Sequence, residues 1–363
     1  MCAPLSLGPA QSRLANDSRM PAVGVIVNPW AGKDLRRFHG ATGHTPDSVK
    51  ISVVRRVVCA ALDAGAPMVM VAADASRIAA RAIRGLSNAE LIDGPGTGSA
   101  LDSRRAGAQL FELGCCPIVV LGGDGTCRDV ATGAPDAALI AISTGTNNVF
   151  PRPVDGSSAG TAAGLLSCGL VALNAVSSRA KRLVVTIGDS ASIDIALVDV
   201  AAIAATDSGA RAVVRADSIL GVVAVIARPA STGLSAIVGR VCPISQSDDA
   251  AAVARLCDVE TAPRRLRVPI VPGQVDVVGL ASMGRLALGG SIEFVGPLTL
   301  AYDGERERTV PAGATVRIVI DRLGPIVVDV DQTLLLASAA RLFDVSSPVA
   351  ASDPYTAEAR NGN

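Results

Sequence analysis

PIVVLGGDGT, residues 117–126, is the stretch that decides the fold of this chain. Its apolar residues predict a short buried strand, and CRDV at 127–130 predicts a helix that starts directly after the glycines. Glycine has no Cβ, so such a loop turns sharply and brings backbone N–H groups close to a ligand. Because the first turn of a helix favours negative charge, this strand, loop and helix predict a phosphate-binding site.

A carboxylate, that of Asp124, stands inside this glycine loop. Beside a bound phosphate, a carboxylate serves as a magnesium ligand or as a base that takes a proton from a hydroxyl group. Phosphoryl transfer is therefore the reaction that the loop favours. The alternative is a tight turn in which the glycines and Asp124 only supply positive φ angles.

Strands and helices alternate between residues 21 and 151, which predicts a doubly wound parallel sheet. Ligands of such sheets bind beyond the carboxyl ends of the strands. Polar loops that contain glycine follow three of the predicted strands: NPWAGK at 28–33, GGDGT at 122–126 and STGTNN at 143–148. We expect the three loops to lie at one edge of the sheet.

The sequence pattern changes beyond a predicted helix at 158–166. Short β-branched runs, among them 326–330, alternate with Gly, Pro and Asp and predict a β-rich, β-sandwich-like domain with a return helix. We expect one further helix inside it, at 248–257. The predicted organisation is a disordered leader at 1–20, an α/β nucleotide-binding domain at 21–156, the β-rich domain at 157–345 and a disordered tail at 346–363. The active site is expected in the cleft between the two domains.

Charge and composition exclude several kinds of partner. The chain has 363 residues with 33 basic and 33 acidic side chains, so we expect no general attraction to nucleic acid or to an anionic membrane. The mean hydropathy of +0.42 comes from Ala and Val, and no apolar run reaches the roughly 20 residues of a membrane-spanning helix. Eight cysteines without metal-ligand spacing and a leader without an apolar signal segment predict reduced thiols and a cytoplasmic protein.

Four motifs follow one another along the chain: NPWAG at 28–32, GGDGT at 122–126, GTNN at 145–148 and DGE at 303–305. In order and spacing they resemble the family of NAD kinases and of diacylglycerol and sphingosine kinases. Within this superfamily, ISTGTNNVFP at 142–151 is most similar to the ATP-NAD kinase-like proteins called acetoin-catabolism protein X. The resemblance covers roughly residues 21–340.

The resemblance implies a kinase that uses ATP and Mg²⁺ to phosphorylate a hydroxyl group of a nucleotide such as NAD, with links to NADP biosynthesis and acetoin catabolism. By this likeness Asp124 and Glu305 are catalytic, Asp303 binds Mg²⁺ and Asp199 contacts the acceptor. The residues expected to contact the nucleotide and its phosphates are Asn28, Lys33, Gly122, Gly123, Gly125, Thr126, Thr146, Asn147, Asn148, Thr232 and Gly233. The likeness also implies a homo-oligomer.

Two further functions are compatible with the sequence. NAD kinases present an asparagine next to an acidic residue to the NAD nucleoside, whereas this chain has Val198 before Asp199. Losing such an amide costs about 1–3 kcal/mol, which is enough to change the preferred nucleotide. The alternatives are a lipid or small-polyol kinase of the same fold, which needs an exposed apolar groove in the second domain, and a nucleotide-binding protein without catalysis.

Two of the residues above also have ordinary structural interpretations. Asp303 and Gly304 form a dipeptide that is common in hairpin turns, here after the predicted strand at 298–301. Trp30 is the only tryptophan, and we expect it to pack against the first helix rather than to cover a nucleotide base.

Overall fold

The computed structural model describes residues 20–32, 45–94, 96–144, 148–188, 193–204, 216–304 and 306–344. Within these ranges the chain forms an α/β part on one mostly parallel sheet and a β-rich part on two antiparallel sheets. The predicted fold class, a doubly wound parallel sheet followed by a β-rich domain, is confirmed.

Five parallel strands form the core of the first sheet, in the order β3-β2-β1-β4-β5. They are β1 Val23–Val27, β2 Val69–Ala72, β3 Ala89–Ile92, β4 Ile118–Gly122 and β5 Ala138–Ser143. The chain builds outward from β1 to β3 and then returns to the other side of β1 as β4. The strand order therefore reverses between β1 and β4, and ligands of such sheets bind at this switch point, outside the carboxyl ends of the strands.

Helices cover both faces of this sheet. They are α1 Asp47–Asp63, α2 Ile78–Ala82, α3 Ala100–Glu112, α4 Asp124–Gly133 and α5 Gly156–Ser167. Successive residues of β4 point to opposite faces, so Leu121 packs in the apolar cluster with α1 and α5, whereas Val120 packs in the cluster with α3 and α4. The second cluster continues into the β-rich part through Leu197 and Leu300, so one apolar core joins the two parts.

The remaining elements build the β-rich part and complete the first sheet. They are β6 Ser177–Arg179, β7 Arg182–Ile187, β8 Asp194–Ala196, β9 Asp199–Ala204, β10 Ile219–Ala224, α6 Ser235–Gly239, β11 Ala250–Cys257, β12 Arg264–Val268, β13 Asp276–Ala287, β14 Ser291–Val295, β15 Leu298–Tyr302, β16 Arg306–Val310, β17 Thr315–Asp321, β18 Ile326–Val328 and α7 Val330–Ala339. The β-rich sheets have the orders β12-β13-β11-β10-β9-β15-β16 and β14-β17-β7-β8.

The predicted helix at 248–257 is wrong, because this segment forms strand β11. Antiparallel partners lie on both of its edges, β10 on one side and β13 on the other. A short run of Ala and Val fits the period of either element, and pairing on both edges satisfies the backbone groups as a strand. Tertiary context therefore overrides the helix preference of alanine.

Helix α5 lies in the α/β part, although the sequence placed the start of the second domain at residue 157. Gly156, Gly160 and Gly164 recur every fourth residue and face the backbone of α1. A Cβ at Gly156 would lie only 2.8 Å from the carbonyl oxygen of Val53. This stripe of glycine lets the two helices approach more closely than larger residues would allow.

Strand β18 belongs to the first sheet, and helix α7 packs beside that sheet rather than in the β-rich part. β18 pairs in parallel with β5 and antiparallel with β6, and α7 packs against α5. We therefore propose that the chain crosses between its two parts twice, at 180–181 and at 322–325. The two crossings lie side by side, since Ala180 N donates to Pro325 O at 2.9 Å and Gly324 N donates to Ala180 O at 3.0 Å.

A buried lysine holds the first crossing to the loop before β11. The Nζ of Lys181 donates to the carbonyl oxygens of Ser245 at 2.8 Å and of Ala250 at 2.6 Å. Burial lowers the pKa of Lys181 to about 8, and the positive charge of Arg322 acts in the same direction. The folded protein therefore releases this proton at a lower pH than the unfolded chain does.

We expect the stability of the wild type relative to Lys181→Met to rise with pH. Below pH 8 the lysine is charged in both states and its desolvation disfavours the folded state, whereas between pH 8 and 10.5 only the unfolded chain still binds the proton. The full gain in the free energy of unfolding, relative to Lys181→Met, is on the order of 3 kcal/mol. Urea unfolding of both proteins at about pH 7 and about pH 10 measures it. A stability difference independent of pH would contradict the assignment.

The cysteines agree with the prediction of reduced thiols. The seven cysteines within the described ranges are all free, and burial raises the pKa of Cys115 to about 12 and that of Cys116 to about 11. Among the helices that the structure describes, none is long and apolar enough to cross a membrane.

Candidate functional site

The loops after β1, β4 and β5 meet where the strand order reverses, as the sequence predicted. Asn28 directly follows β1, and its Nδ2 donates to Oγ1 of Thr126 in the glycine loop at 2.8 Å. The backbone N of Asn28 donates to Leu121 O at 2.9 Å, and Thr144 N donates to Gly122 O at 3.2 Å. Direct hydrogen bonds therefore join the first loop and the loop after β5 to the end of β4.

The glycine loop passes directly into helix α4. Gly123 precedes the helix, and Asp124 is its first residue. Gly122 leaves no room for a side chain, since a Cβ there would lie 2.5 Å from the Cβ of Thr126. This tight turn places the first N–H groups of α4 at the switch point, where the helix dipole favours an anion.

Asp124 holds the loop after β5 in place. Its Oδ1 accepts hydrogen bonds from Phe150 N at 2.8 Å and from Val149 N at 3.0 Å, and its Oδ2 lies 3.1 Å from Val149 N. The residue is only 6% exposed. Asn148, in the same loop, donates from Nδ2 to Oγ of Ser143 at 2.7 Å. Asp124 is therefore a fixed, buried carboxylate at the start of the helix rather than only a turn former.

A cleft opens beside Asn28, at the carboxyl ends of β1 and β2 and at the start of α3. Residues from the segments 26–30, 72–75 and 98–106 line it, and its space, open to solvent, is about 360 Å³. Asn28 lines the cleft and also bonds to the glycine loop, so the cleft and the loop adjoin at this residue.

Trp30 lies at this cleft and not in the core. Its side chain lines the cleft beside Gly98, and the residue is 55% exposed. The expectation that Trp30 packs against the first helix is therefore wrong.

Two carboxylates shape the wall of the cleft. Asp74 accepts hydrogen bonds from the backbone N of Ser76 at 2.9 Å and of Ala79 at 2.7 Å, at the start of α2. Asp102 accepts from Gly98 N at 2.7 Å and from Oγ1 of Thr97 at 2.7 Å. Partial burial opposes the effect, but the hydrogen bonds prevail and lower the pKa of Asp102. Both carboxylates therefore fix the local backbone at the wall of the cleft.

Asp303 occupies the hairpin turn between β15 and β16. The φ angles of +48° at Asp303 and +69° at Gly304 are both in the left-handed region that turns often use. The Asp303 carboxylate accepts hydrogen bonds from Val198 N at 2.8 Å and Leu197 N at 3.1 Å, and Nη1 of Arg128 lies 3.4 Å from its Oδ2. Burial raises the pKa of Asp303, while Arg128 and the backbone amides act in the opposite direction.

This arrangement does not fit the magnesium-binding role expected of Asp303. Backbone amides and a guanidinium group surround its carboxylate, and its side chain has no exposed surface. In the part of the chain that the structure describes, no three His, Cys, Asp or Glu residues are grouped to hold a metal ion. Asp199 lies beside the same turn, and its carbonyl oxygen accepts from Asp303 N at 2.9 Å. Its contact with an acceptor stays a prediction.

The other predicted site residues are not joined to the glycine loop by the contacts observed. Thr232 and Gly233 precede α6, where Gly233 N donates to Pro269 O at 3.0 Å within the β-rich part. Their nucleotide contacts stay a prediction. Four more predicted residues lie outside the described ranges: Lys33, Thr146, Asn147 and Glu305.

The sequence analysis missed Arg128. This residue lies four positions after Asp124 on α4, is 4% exposed and donates from Nη1 to Tyr302 O at 2.9 Å. The available signal was a charged residue one turn into a helix that directly follows a buried strand, since a buried charge needs a partner.

A GGDGT loop at the switch point of a doubly wound sheet, joined to an antiparallel β-rich part, is the arrangement that the resemblance in sequence implied. Residues 181–323 match the family model described as the acetoin catabolism protein X C-terminal domain. Acetoin catabolism protein X of Cupriavidus necator is 29% identical over 312 residues, which cover 80% of this chain and 87% of that protein. The likeness predicted from the motifs is confirmed.

Two solved structures are similar over most of their length. Yeast NADH kinase complexed with NADH has a TM-score of 0.46 and 14% identity, with 91% of this chain and 90% of that chain covered. The NAD kinase from Archaeoglobus fulgidus in complex with ATP has a TM-score of 0.43 and 13% identity, with 88% of this chain and 98% of that chain covered.

Proposed function

We propose that this protein is a phosphotransferase that moves the γ-phosphoryl group of ATP to a hydroxyl group of a nucleotide such as NAD. The observation that carries the proposal is the position of Asn28. This residue lines the cleft and also donates to Thr126 of the glycine loop, so a site for a base and a site for phosphates are contiguous. The switch point of a doubly wound sheet is where such a ligand binds.

The nucleoside enters the cleft beside Trp30, and the phosphates lie over the backbone N–H groups of residues 122–126. An aromatic ring at the mouth supplies a face on which a base stacks, while the helix start supplies N–H donors to anionic oxygen. Asp74 and Asp102 keep the walls in place, so the site is formed before the ligand binds.

Asp124 is the general base for the acceptor hydroxyl group. The acceptor oxygen attacks the γ-phosphorus, the bond between that phosphorus and the oxygen bridging to the β-phosphate breaks, and ADP leaves. The proton of the acceptor hydroxyl passes to the Asp124 carboxylate, which the amides of Val149 and Phe150 hold in a fixed position. A Mg²⁺ ion held by the ATP phosphates would neutralise their charge, and the amides and guanidinium around the Asp303 carboxylate favour that arrangement over a Mg²⁺ ion held by Asp303.

We expect ATP and ADP to change the fluorescence of Trp30 in a saturable way. This residue is the only tryptophan in the chain and lies at the cleft, so the signal reports the site directly. Ala73→Leu fills the half-buried end of β2 in the cleft and should weaken nucleotide binding about ten- to one-hundredfold. Ala287→Leu, at an exposed position of β13, is the matched control and should bind as the wild type does.

Calorimetry checks the same titrations without an optical probe. If the wild type binds neither ATP nor ADP by either method, the nucleotide-binding proposal is wrong.

The acceptor is identified by incubating the wild type with Mg-ATP and NAD, NADH, diacylglycerol, sphingosine or acetoin, and by searching for a phosphorylated product. Phosphorylated NAD or NADH would support the proposal. Phosphorylation of a lipid or of acetoin would instead support the lipid or small-polyol kinase. Nucleotide binding without any product would favour the protein that binds nucleotide without catalysis.

A further inference from the structure

We propose that Arg128 and Asp303 form a buried link through which the β-rich part sets the position of the glycine loop, and with it the affinity for nucleotide phosphates. The inference rests on the nucleotide-binding function proposed above. It gives Arg128 the role of a positioning residue, since Arg128 acts on the phosphate site through helix α4.

The link crosses between the two parts of the chain. Arg128 lies on α4, one helical turn after Asp124, and its Nη1 donates to Tyr302 O at 2.9 Å. The same Nη1 lies 3.4 Å from Oδ2 of Asp303, and the exposed fractions of the two side chains are 5% and 0%. An ion pair with so little exposed surface is hardly screened by solvent.

The far end of the link is a rigid corner of the β-rich part. Asp303 accepts hydrogen bonds from Leu197 N and Val198 N, and its own N donates to Asp199 O. These contacts fasten the β15–β16 hairpin to the turn between β8 and β9. A displacement of this corner therefore displaces the partner of Arg128.

The chemistry of the pair fits positioning better than stabilisation. Replacing a buried ion pair with apolar residues of similar volume is often neutral or stabilising, so such a pair is weak evidence for a purely stabilising role. The planar guanidinium carries its donors in a rigid fork: Nη1 serves both the Tyr302 carbonyl and the Asp303 carboxylate, while Nε lies 3.7 Å from Oδ1 of Asp129. The pair therefore defines where the start of α4 lies relative to the β-rich part.

Loss of the link is expected to weaken the binding of phosphate groups selectively. The cleft is lined by residues of the α/β part alone, from within 26–30, 72–75 and 98–106. The backbone N–H groups at 122–126, in contrast, move with α4. Loss of the link should therefore weaken the binding of ATP and leave the binding of adenosine unchanged.

The test compares Arg128→Lys with Arg56→Lys. Lysine keeps the charge but has one compact head, which does not reproduce the fork. Arg56 forms an exposed ion pair with Asp155 on the opposite face of the sheet, so the same substitution there is the matched control. We expect Arg128→Lys to weaken ATP binding about fivefold or more, to change adenosine binding less than about twofold, and Arg56→Lys to change neither. Trp30 fluorescence and calorimetry give both dissociation constants.

Asp303→Asn is the second variant, because asparagine keeps an acceptor for the amides of Leu197 and Val198 but removes the charge that faces Arg128. This variant should show the same loss of ATP affinity with little change in adenosine affinity. Unchanged ATP affinity in both variants, or equal loss of ATP and adenosine affinity, would overturn the inference while wild-type binding upholds the proposed function. Absence of ATP binding in the wild type would overturn both.

Discussion

Replacing Asp124 with asparagine is expected to lower the rate of phosphoryl transfer by about 10²–10⁴-fold, because the amide cannot accept the proton of the acceptor hydroxyl. The substitution also affects the fold. Asparagine offers one acceptor oxygen where the carboxylate offers two, and a misplaced amide would face the N–H groups of Val149 and Phe150. The free energy of unfolding should fall by about 1–3 kcal/mol.

Initial rates on the identified acceptor, measured well below the unfolding temperature, separate these two effects. Nucleotide binding should survive, since the backbone amides at 122–126 remain. Asp63→Asn, at the exposed end of α1, is the control for a lost charge in the same part and should keep both rate and stability. Wild-type turnover by Asp124→Asn would show that Asp124 only anchors the loop at 149–150.

Replacing Asp303 with alanine is expected to lower the free energy of unfolding by about 3–5 kcal/mol. The change removes the fully buried counter-charge of Arg128, although Asp129 stays 3.7 Å from its Nε, and it removes the side-chain acceptor of the amides of Leu197 and Val198. Adding Arg128→Met to this variant should restore part of the loss, since an apolar side chain then fills the space of the buried charge.

Urea unfolding of the two single variants and the double variant measures this coupling. Asp344→Ala is the matched control, because Asp344 and Arg341 form an ion pair that is 67% and 84% exposed. We expect the control to change stability by about 0.5 kcal/mol at most. A similarly small change for Asp303→Ala would show that the turn is solvated and that no buried link exists.

Sequence patterns predicted the parts of the molecule whose geometry depends on nearby residues. The apolar runs of β1, β4 and β5 and the glycine-bearing loops after them were identified correctly. Because the carboxyl ends of parallel strands share one edge of a sheet, their meeting at the switch point followed from the alternation of strands and helices.

Errors arose where long-range packing decides between local alternatives. The run of Ala and Val at 250–257 fits a helix or a strand, and its pairing with β10 and β13 decides for the strand. The small residues at 156, 160 and 164 carried a readable signal for close helix packing, but only the position of α1 shows which domain holds α5. Trp30 is 55% exposed and lies beside Gly98, 68 positions away in the chain, so its surroundings also depend on long-range packing.

By itself, the sequence determined the doubly wound sheet, the glycine loop with Asp124 at the start of a helix and the hairpin turn at Asp303, since neighbouring residues are enough to specify them. Only the tertiary structure decided what the Asp303 carboxylate does. Its partner Arg128 lies 175 positions away in the chain, and nothing local indicates that pairing. A buried charge must find its counter-charge wherever folding brings one within reach, so the pairing becomes defined only when the two parts pack together.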